Sequence, residues 1–231
     1  MIKAVFLDFY NTLVAFDPPR NELQVNACRE FGIEVRYDAI PRGYWSADDF
    51  MSRENGRIPI QQRSETDQNE FWAEYEQILL ENAGVNVSRE LALKIFTRMR
   101  QLNRRLVLFD DVLPALEALK SRNIVLGLIS NLNRNLDSTC ASLGLDRYLD
   151  FVLTSLEAGS EKPHPPIFLA ALKRAGVTAS EAIHVGDLYY SDVVGAKSVG
   201  IKPLLIDRLG FGQQFEDCQR IQSLTEIVDH L

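Results

Sequence analysis

Four short motifs of this chain carry carboxylate, hydroxyl, amide or ammonium groups, and each comes after an apolar segment. In chain order, their polar residues are Asp8, Ser130 with Asn131, Lys162, and Asp187 with Asp192. Carboxyl groups have a reference pKa of about 4 and are ionised at pH 7. If Asp8 and Asp187 lie side by side, their like charges require a cation between them. Taken singly, each has an ordinary structural explanation: the aspartates and Ser130-Asn131 could cap a helix or stabilise a turn, and Lys162 could be a solvated loop charge.

The apolar segments before the motifs have the pattern of parallel strands that are covered on both faces. Their hydrophobicity is continuous rather than alternating, and helical patterns separate them, which predicts right-handed βαβ units. The expected strands are 4–7, 124–129, 151–153, 182–185 and 202–206. Ligands in such sheets bind beyond the carboxyl ends of the strands. The four motifs are therefore expected to converge on one site.

The segment from 18 to 105 interrupts this alternation because its pattern is mostly helical. Gly32, Gly56 and Gly84 mark breaks between four predicted helices. We therefore predict an α/β fold with two domains. A Rossmann-like parallel-sheet core comprises residues 1–17 and 106–231, and an inserted α-helical cap comprises residues 18–105.

Composition and charge exclude several classes of protein. The 231 residues are 46% hydrophobic, which suffices for a sizeable core, and the net charge of −7 without an extended basic run argues against nucleic-acid and membrane partners. The cysteines, Cys28, Cys140 and Cys218, lie far apart, which argues against a disulfide framework or structural zinc. No apolar stretch approaches the roughly 18 residues of a membrane span, and no secretory signal is recognisable. We expect a cytoplasmic protein.

The motifs and their order resemble those of the haloacid dehalogenase (HAD) superfamily. The first reads Asp-x-Tyr-x-Thr, the second Ser-Asn after an apolar strand, the third Lys-Pro-x-Pro-x-Ile-Phe, and the fourth Val-Gly-Asp-x-x-x-x-Asp-x-x-Gly-Ala-Lys. The resemblance covers about 2–16 and 110–206, and it implies a HAD-like core with a helical cap inserted after the first motif. Tyr10 stands where the family usually has a second aspartate.

The resemblance implies a covalent mechanism and a metal ion. Asp8 would be the nucleophile. In the phosphatase branch Mg²⁺ would be held by Asp8, by the main-chain carbonyl of Tyr10 and by Asp187, which are oxygen ligands of the kind this cation prefers. Asp192 would complete the metal site by orienting a metal-bound water or Lys162.

The remaining motif residues would act on the phosphoryl group of a small phosphorylated substrate. By resemblance, the Ser130 hydroxyl and the Asn131 backbone N–H would donate hydrogen bonds to its oxygens, and Lys162 would neutralise negative charge. Thr12 would fix the loop after the nucleophile.

Tyr10 leaves three functions open. The aspartate usual at this position protonates the leaving group and then activates water, whereas a tyrosine with a reference pKa of about 10 is a poor base. The first reading is a Mg²⁺-dependent phosphatase, slowed by this replacement. The second is a hydrolase similar to the 2-haloacid dehalogenases, which also carry tyrosine here and need no metal. The third is a catalytically weak protein that binds a ligand or a partner. The acidic residues Asp187 and Asp192 favour the first.

Overall fold

The computed structural model describes all 231 residues, which form two compact units. The first unit contains Met1–Ala15 and Val107–Leu231, and the second is the continuous segment Phe16–Leu106. None of the helices combines the length and the apolar character that a membrane crossing requires.

Strands are short throughout the chain. They are β1 (Ala4–Leu7), β2 (Val14–Asp17), β3 (Arg105–Leu108), β4 (Val125–Ser130), β5 (Phe151–Thr154), β6 (Ala182–Gly186), β7 (Lys202–Ile206) and β8 (Gln219–Ile221). Six of them form one sheet in the order β5-β4-β1-β6-β7-β8, and β2 pairs with β3.

Helices fill most of the remaining chain. The α-helices are α1 (Arg20–Glu30), α2 (Ile40–Arg57), α3 (Glu65–Asn82), α4 (Arg89–Gln101), α5 (Val112–Lys120), α6 (Asp137–Ser142), α7 (Ser155–Ala158), α8 (Pro165–Ala175) and α9 (Gly195–Ser198). A π-helix spans Tyr189–Val194 and a C-terminal 3₁₀-helix spans Leu224–His230.

The six-stranded sheet is parallel between all neighbours, which confirms the predicted α/β fold class. Strand β1 lies at its centre, with Leu7 opposite Leu128 of β4 and Val185 of β6. Every residue of β1 is buried, as its continuous hydrophobicity predicts. This order brings the carboxyl ends of β1, β4 and β6 side by side. Strand β8 was not predicted because two of its three residues are polar and exposed.

Helix α8 covers one face of this sheet. Its Ile167 and Phe168 are fully buried and belong to one apolar cluster with Phe6 of β1 and Ile129 of β4. Burial of each large apolar side chain contributes about 1.5–3 kcal/mol. The packing therefore fixes the strand ends that carry the sequence motifs.

The second unit is a bundle of helices α1 to α4 around its own core. Leu79 and Leu80 of α3 are completely buried there, together with Ile40 of α2 and Ile95 of α4. Trp72 packs against this core and stacks on Phe96, with ring centroids 4.5 Å apart. The unit therefore has a separate hydrophobic interior.

Candidate active site

A tight loop follows β1 and carries Asp8. The Asp8 carboxyl group is nearly buried, and the Asp8 backbone N–H donates to the Val185 carbonyl at 2.9 Å. Asn11 has φ +57°, a left-handed conformation that asparagine adopts more readily than most residues. The Asn11 N–H then donates to the Val14 carbonyl at 2.8 Å. The loop therefore turns sharply just after the carboxylate.

Lys162 lies between two carboxylates. Its ammonium nitrogen is 2.5 Å from Asp8 Oδ1 and 2.6 Å from Asp192 Oδ1, and its side chain is only 2% exposed. Burial alone would lower the pKa of Lys162, but Asp192 and Asp8 hold it above its ordinary value. Lys162 therefore stays positively charged inside the protein, beside Asp8.

The pKa values of the two carboxyl groups in this cluster are shifted in opposite directions, although burial acts to raise both. Burial raises the pKa of Asp8 to about 6; the Lys162 charge opposes that rise and the Asp192 charge adds to it. Burial would also raise the pKa of Asp192, but Lys162 and a hydrogen bond from His184 hold it well below its usual range. Asp192 is therefore held in its ionised form beside Lys162, whereas burial favours the protonated form of Asp8.

Asp192 uses both carboxylate oxygens for contacts within the protein. Oδ1 lies 2.6 Å from Lys162 Nζ and 2.9 Å from His184 Nε2, and Oδ2 accepts from the Leu188 N–H at 3.0 Å. His184 is fully buried, and burial lowers its pKa, so the neutral ring with its proton on Nε2 donates to Asp192. The Asp192 carboxylate is thus held by Lys162, His184 and the main chain of Leu188.

Gly186 makes the close approach of Asp192 feasible. A Cβ atom at Gly186 would overlap the Asp192 carboxylate. Only glycine leaves space for that carboxylate against the end of β6. The interpretation of the sequence missed this role, although Gly-Asp after an apolar strand was the available signal.

Asp187 lies beside the loop that carries Asp8. Its Oδ2 accepts a hydrogen bond from Asn11 Nδ2 at 3.0 Å, across 176 positions of the chain. The structure thus brings the first and fourth sequence motifs together, as predicted. Asn11 itself was not among the predicted site residues.

Asn131 fixes the segment that carries Lys162. Its Oδ1 accepts from the Lys162 N–H at 2.6 Å, and its Nδ2 donates to the Lys162 carbonyl at 2.8 Å. Ser130 ends β4 as a buried residue opposite Thr154 of β5. The second and third motifs are therefore adjacent, and the Asn131 side chain has a positioning role beyond the predicted backbone donor.

Thr12 ties its loop through a main-chain atom. The residue is completely buried and its hydroxyl has no hydrogen-bond partner, whereas its carbonyl accepts from Arg208 Nη2 at 2.9 Å. Arg208 also forms a two-point ion pair with Asp111, at 2.8 and 3.0 Å, and stacks over Phe109. Asp111 accepts further from the Leu224 N–H at 2.8 Å. Arg208 thus connects the Asp8 loop to the C-terminal 3₁₀-helix.

Tyr10 contacts the loop that follows β4. Its hydroxyl oxygen accepts from Arg134 Nη2 at 3.2 Å, and its ring meets Phe9 edge-on, with centroids 5.1 Å apart. Sequence reasoning did not single out Arg134. The only feature of the sequence that connects Arg134 with the site is its position four residues after Ser130.

Two carboxylates and one main-chain carbonyl are the groups of this chain that could bind the predicted metal ion. No group of three or more His, Cys, Asp or Glu side chains is arranged to hold a metal ion. The remaining candidates are the carboxylates of Asp8 and Asp187 and the carbonyl of Tyr10. All are oxygen donors, which suits Mg²⁺ because that ion keeps several waters and needs few protein ligands.

Comparison with known proteins places these features in a family. A family model described as haloacid dehalogenase-like hydrolase matches residues 2–200. The chain is 30% identical, over 213 residues, to a ribulose-1,5-bisphosphate 5-phosphatase of Halopiger xanaduensis, covering 90% of this chain and 85% of the relative.

Solved structures of two activities resemble the chain almost equally. A HAD phosphatase from Thermococcus onnurineus is 26% identical with a TM-score of 0.57, covering 99% of this chain and 97% of that one. A 2-haloacid dehalogenase from Pseudomonas syringae is 27% identical with a TM-score of 0.58 and the same coverage. Overall similarity therefore does not distinguish a phosphatase from a dehalogenase. Only the residues of the site can distinguish them.

Proposed function

The chain belongs to the haloacid dehalogenase-like hydrolases, and we propose that it is a Mg²⁺-dependent phosphatase acting on a small organic phosphate. The observation that carries this proposal is the buried cluster in which Lys162 lies between Asp8 and Asp192, with Asp187 held near the same loop by Asn11. It combines a carboxylate nucleophile with the charges that phosphoryl transfer requires. The phosphatase relative from Halopiger xanaduensis supports it further.

In the proposed reaction, Asp8 attacks phosphorus and the bond between phosphorus and the leaving oxygen breaks, which forms an aspartyl phosphate and releases the alcohol once its oxygen has taken a proton from solvent. Water then hydrolyses this acyl phosphate, releasing inorganic phosphate and regenerating the carboxylate. Lys162 stabilises the phosphoryl charge because its ammonium group already lies beside Asp8. The Ser130 hydroxyl and the Asn131 N–H donate hydrogen bonds to phosphoryl oxygens. Thr12 and Asn11 keep the loop in place.

The chemistry of the donor set supports Mg²⁺. Burial and the nearby charge of Asp192 raise the pKa of Asp8, so a cation at Asp8 would favour the ionised nucleophile. Asp8, Asp187 and the Tyr10 carbonyl would hold the ion, and Asp192 would keep Lys162 in place beside them. When bound, Mg²⁺ would neutralise phosphoryl charge. Isothermal titration should detect binding at millimolar Mg²⁺ that is lost in Asp187→Ala, and no binding to the unmodified protein would overturn the metal assignment.

Tyr10 restricts the proposed reaction at the steps that move protons. The phenol can donate a hydrogen bond to the leaving oxygen but is a poor base for activating water. The phosphatase should therefore be slow, or selective for substrates with good leaving groups. Tyr10→Asp should raise phosphate release, and Tyr10→Phe is the matched control without a hydroxyl. An unchanged or lower rate in Tyr10→Asp would contradict this explanation.

The dehalogenase alternative is favoured by one residue. Tyrosine at position 10 is also the pattern of that branch, and the Pseudomonas syringae structure resembles the chain as closely as the phosphatase does. Against it stands Asp187, an acidic residue that Asn11 holds beside the Asp8 loop, where a bound cation would offset the like charges of the two residues. The third candidate is a weakly catalytic binding protein. It would have the same site residues but would release neither phosphate nor halide.

One assay distinguishes the three candidates. Phosphate release from a panel of monoesters and halide release from 2-haloacids are each measured with Mg²⁺ and with EDTA. Metal-dependent phosphate release supports the phosphatase, and metal-independent halide release supports the dehalogenase. If neither phosphate nor halide is released, the result supports the weakly catalytic binding protein. Asp8→Asn is the control, because it should abolish either activity.

A further inference from the structure

Arg134 lies in the loop that follows β4 and contacts the loop that follows β1. Strands β1 and β4 are neighbours in the sheet, so the loops that follow Asp8 and Ser130 leave the same edge. Arg134 follows Ser130 by four positions and Tyr10 follows Asp8 by two. Nη2 of Arg134 donates a hydrogen bond to the Tyr10 hydroxyl oxygen at 3.2 Å. A positive charge is therefore placed beside the loop of the proposed nucleophile.

The loop that presents Arg134 is held at both ends. At one end, the Asn131 side chain accepts from the Lys162 N–H at 2.6 Å and donates to the Lys162 carbonyl at 2.8 Å. At the other, Asn135 accepts from the Asp137 N–H at 2.7 Å and donates to its carboxylate at 2.9 Å. The backbone around Arg134 is thus preorganised, which reduces the entropic cost of using its side chain in binding.

The guanidinium keeps most of its donors for a ligand. Arginine has five N–H donors, and the hydrogen bond of Arg134 goes to a hydroxyl oxygen and not to a carboxylate. Its side chain is exposed. In contrast, the arginine that supports the Asp8 loop, Arg208, is already committed to Asp111 through two contacts. Arg134 is therefore the arginine at this end of the sheet that suits an incoming oxyanion.

We propose that Arg134 binds a second anionic group of the substrate, which is a carboxylate or a second phosphate separate from the phosphate that is removed. This inference rests on the proposed phosphatase function and narrows its substrate class to phosphorylated acids and bisphosphates. The Tyr10 hydroxyl steadies the guanidinium, which gives position 10 a binding role in addition to its main-chain carbonyl. The bisphosphate named for the Halopiger xanaduensis relative belongs to this class.

Non-hydrolysable phosphonates test the subsite independently of turnover. Isothermal titration with Mg²⁺ present compares each carboxyalkyl phosphonate, from phosphonoacetate to 4-phosphonobutyrate, with the alkyl phosphonate of equal chain length. A parallel series of alkylene bisphosphonates distinguishes a second phosphate from a carboxylate. The same titrations are performed on Arg134→Gln, and on Arg147→Gln as the control. Arg147 is another exposed arginine, in the connection between α6 and β5.

We expect at least one doubly anionic ligand to bind the unmodified protein about ten times more tightly than its singly anionic partner, as charge-assisted hydrogen bonds to arginine imply. This preference should fall to less than about twofold in Arg134→Gln and persist in Arg147→Gln. Equal affinities within every pair would overturn the proposal. Equal weakening of both members by Arg134→Gln would also overturn it, because Arg134 would then act only on the shared site.

Failure of the subsite is distinguishable from failure of the phosphatase function. Release of p-nitrophenol from p-nitrophenyl phosphate by the unmodified protein is measured separately with Mg²⁺. If the protein hydrolyses p-nitrophenyl phosphate but does not prefer doubly anionic phosphonates, the Arg134 subsite is refuted and the phosphatase function is not. A preference that depends on Arg134, without any turnover, supports the subsite and refutes the phosphatase.

Discussion

Replacing Arg208 by methionine should lower both stability and turnover. Methionine keeps much of the length of the side chain but has no hydrogen-bond donors. The substitution removes the two-point ion pair with Asp111, the hydrogen bond to the Thr12 carbonyl and the stacking over Phe109. The Asp8 loop therefore loses its connection to the C-terminal segment.

The expected loss of stability follows from the burial of the Arg208–Asp111 pair. The side chains of Arg208 and Asp111 are 19% and 15% exposed, so water screens the pair only partly. Removing one partner of a fully buried pair costs about 3–5 kcal/mol. Here Asp111 keeps its hydrogen bonds from Ser223 and Leu224, which reduces the expected loss to about 2–3 kcal/mol. For a protein of this size, that loss lowers the melting temperature by about 4–12 °C.

Thermal denaturation and steady-state kinetics test this prediction together. We expect kcat for phosphate release to fall about tenfold, with a smaller change in KM, because the loop positions Asp8 during the reaction. The control is Arg174→Met, which breaks the exposed Arg174–Glu157 pair and should cost less than about 1 kcal/mol with unchanged kcat. A stability loss no larger than that of the control would refute the energetic reasoning. An unchanged kcat, measured well below the melting temperature, would refute the positioning role.

Three further substitutions have definite expected results. Gly186→Ala should cost about 1–3 kcal/mol and lower kcat, because its methyl group overlaps Asp192; denaturant midpoints and kinetics check this, and normal values for both would contradict it. Lys162→Met should reduce phosphate release by about 10²–10³-fold, and activity within tenfold of the unmodified protein would argue against its role. In the second unit, burial raises the pKa of Glu76 to about 8. The folded state therefore keeps a proton that the unfolded state loses above about pH 4.5, and stability should decrease between about pH 4.5 and 8, by at most about 1.4 kcal/mol per pH unit. Glu76→Gln should remove this dependence in urea denaturation, and an equal slope in both proteins would exclude Glu76 as its cause.

The sheet and the approximate site could be predicted because both depend on local patterns. A buried parallel strand is continuously apolar over a few residues, and the polar residue that follows it must emerge at the carboxyl edge. That reasoning placed Asp8, Ser130, Lys162 and Asp187 near one another, and the structure does bring these segments together. Strand β8 was missed because an edge strand with exposed polar side chains lacks this pattern.

The supporting contacts could not be predicted because they join residues distant in the chain. Arg208 and Thr12 are separated by 196 positions, and Arg134 and Tyr10 by 124. No local periodicity indicates which arginine will meet which loop, since many arginines of this chain lie on exposed helix faces. The close approach at Gly186 likewise exists only once the turn after β6 has brought Asp192 against that strand.

The amino-acid sequence by itself therefore determined the family, the α/β core and the candidate site residues, because short motifs that follow apolar strands indicate all three. Only the tertiary structure decided how those residues share their charge. Lys162 is buried between Asp8 and Asp192, both oxygens of Asp192 are occupied, and Tyr10 accepts a hydrogen bond from Arg134. The physical reason is that the pKa and role of an ionisable group depend on desolvation and on neighbours within a few ångströms, which the fold alone brings together.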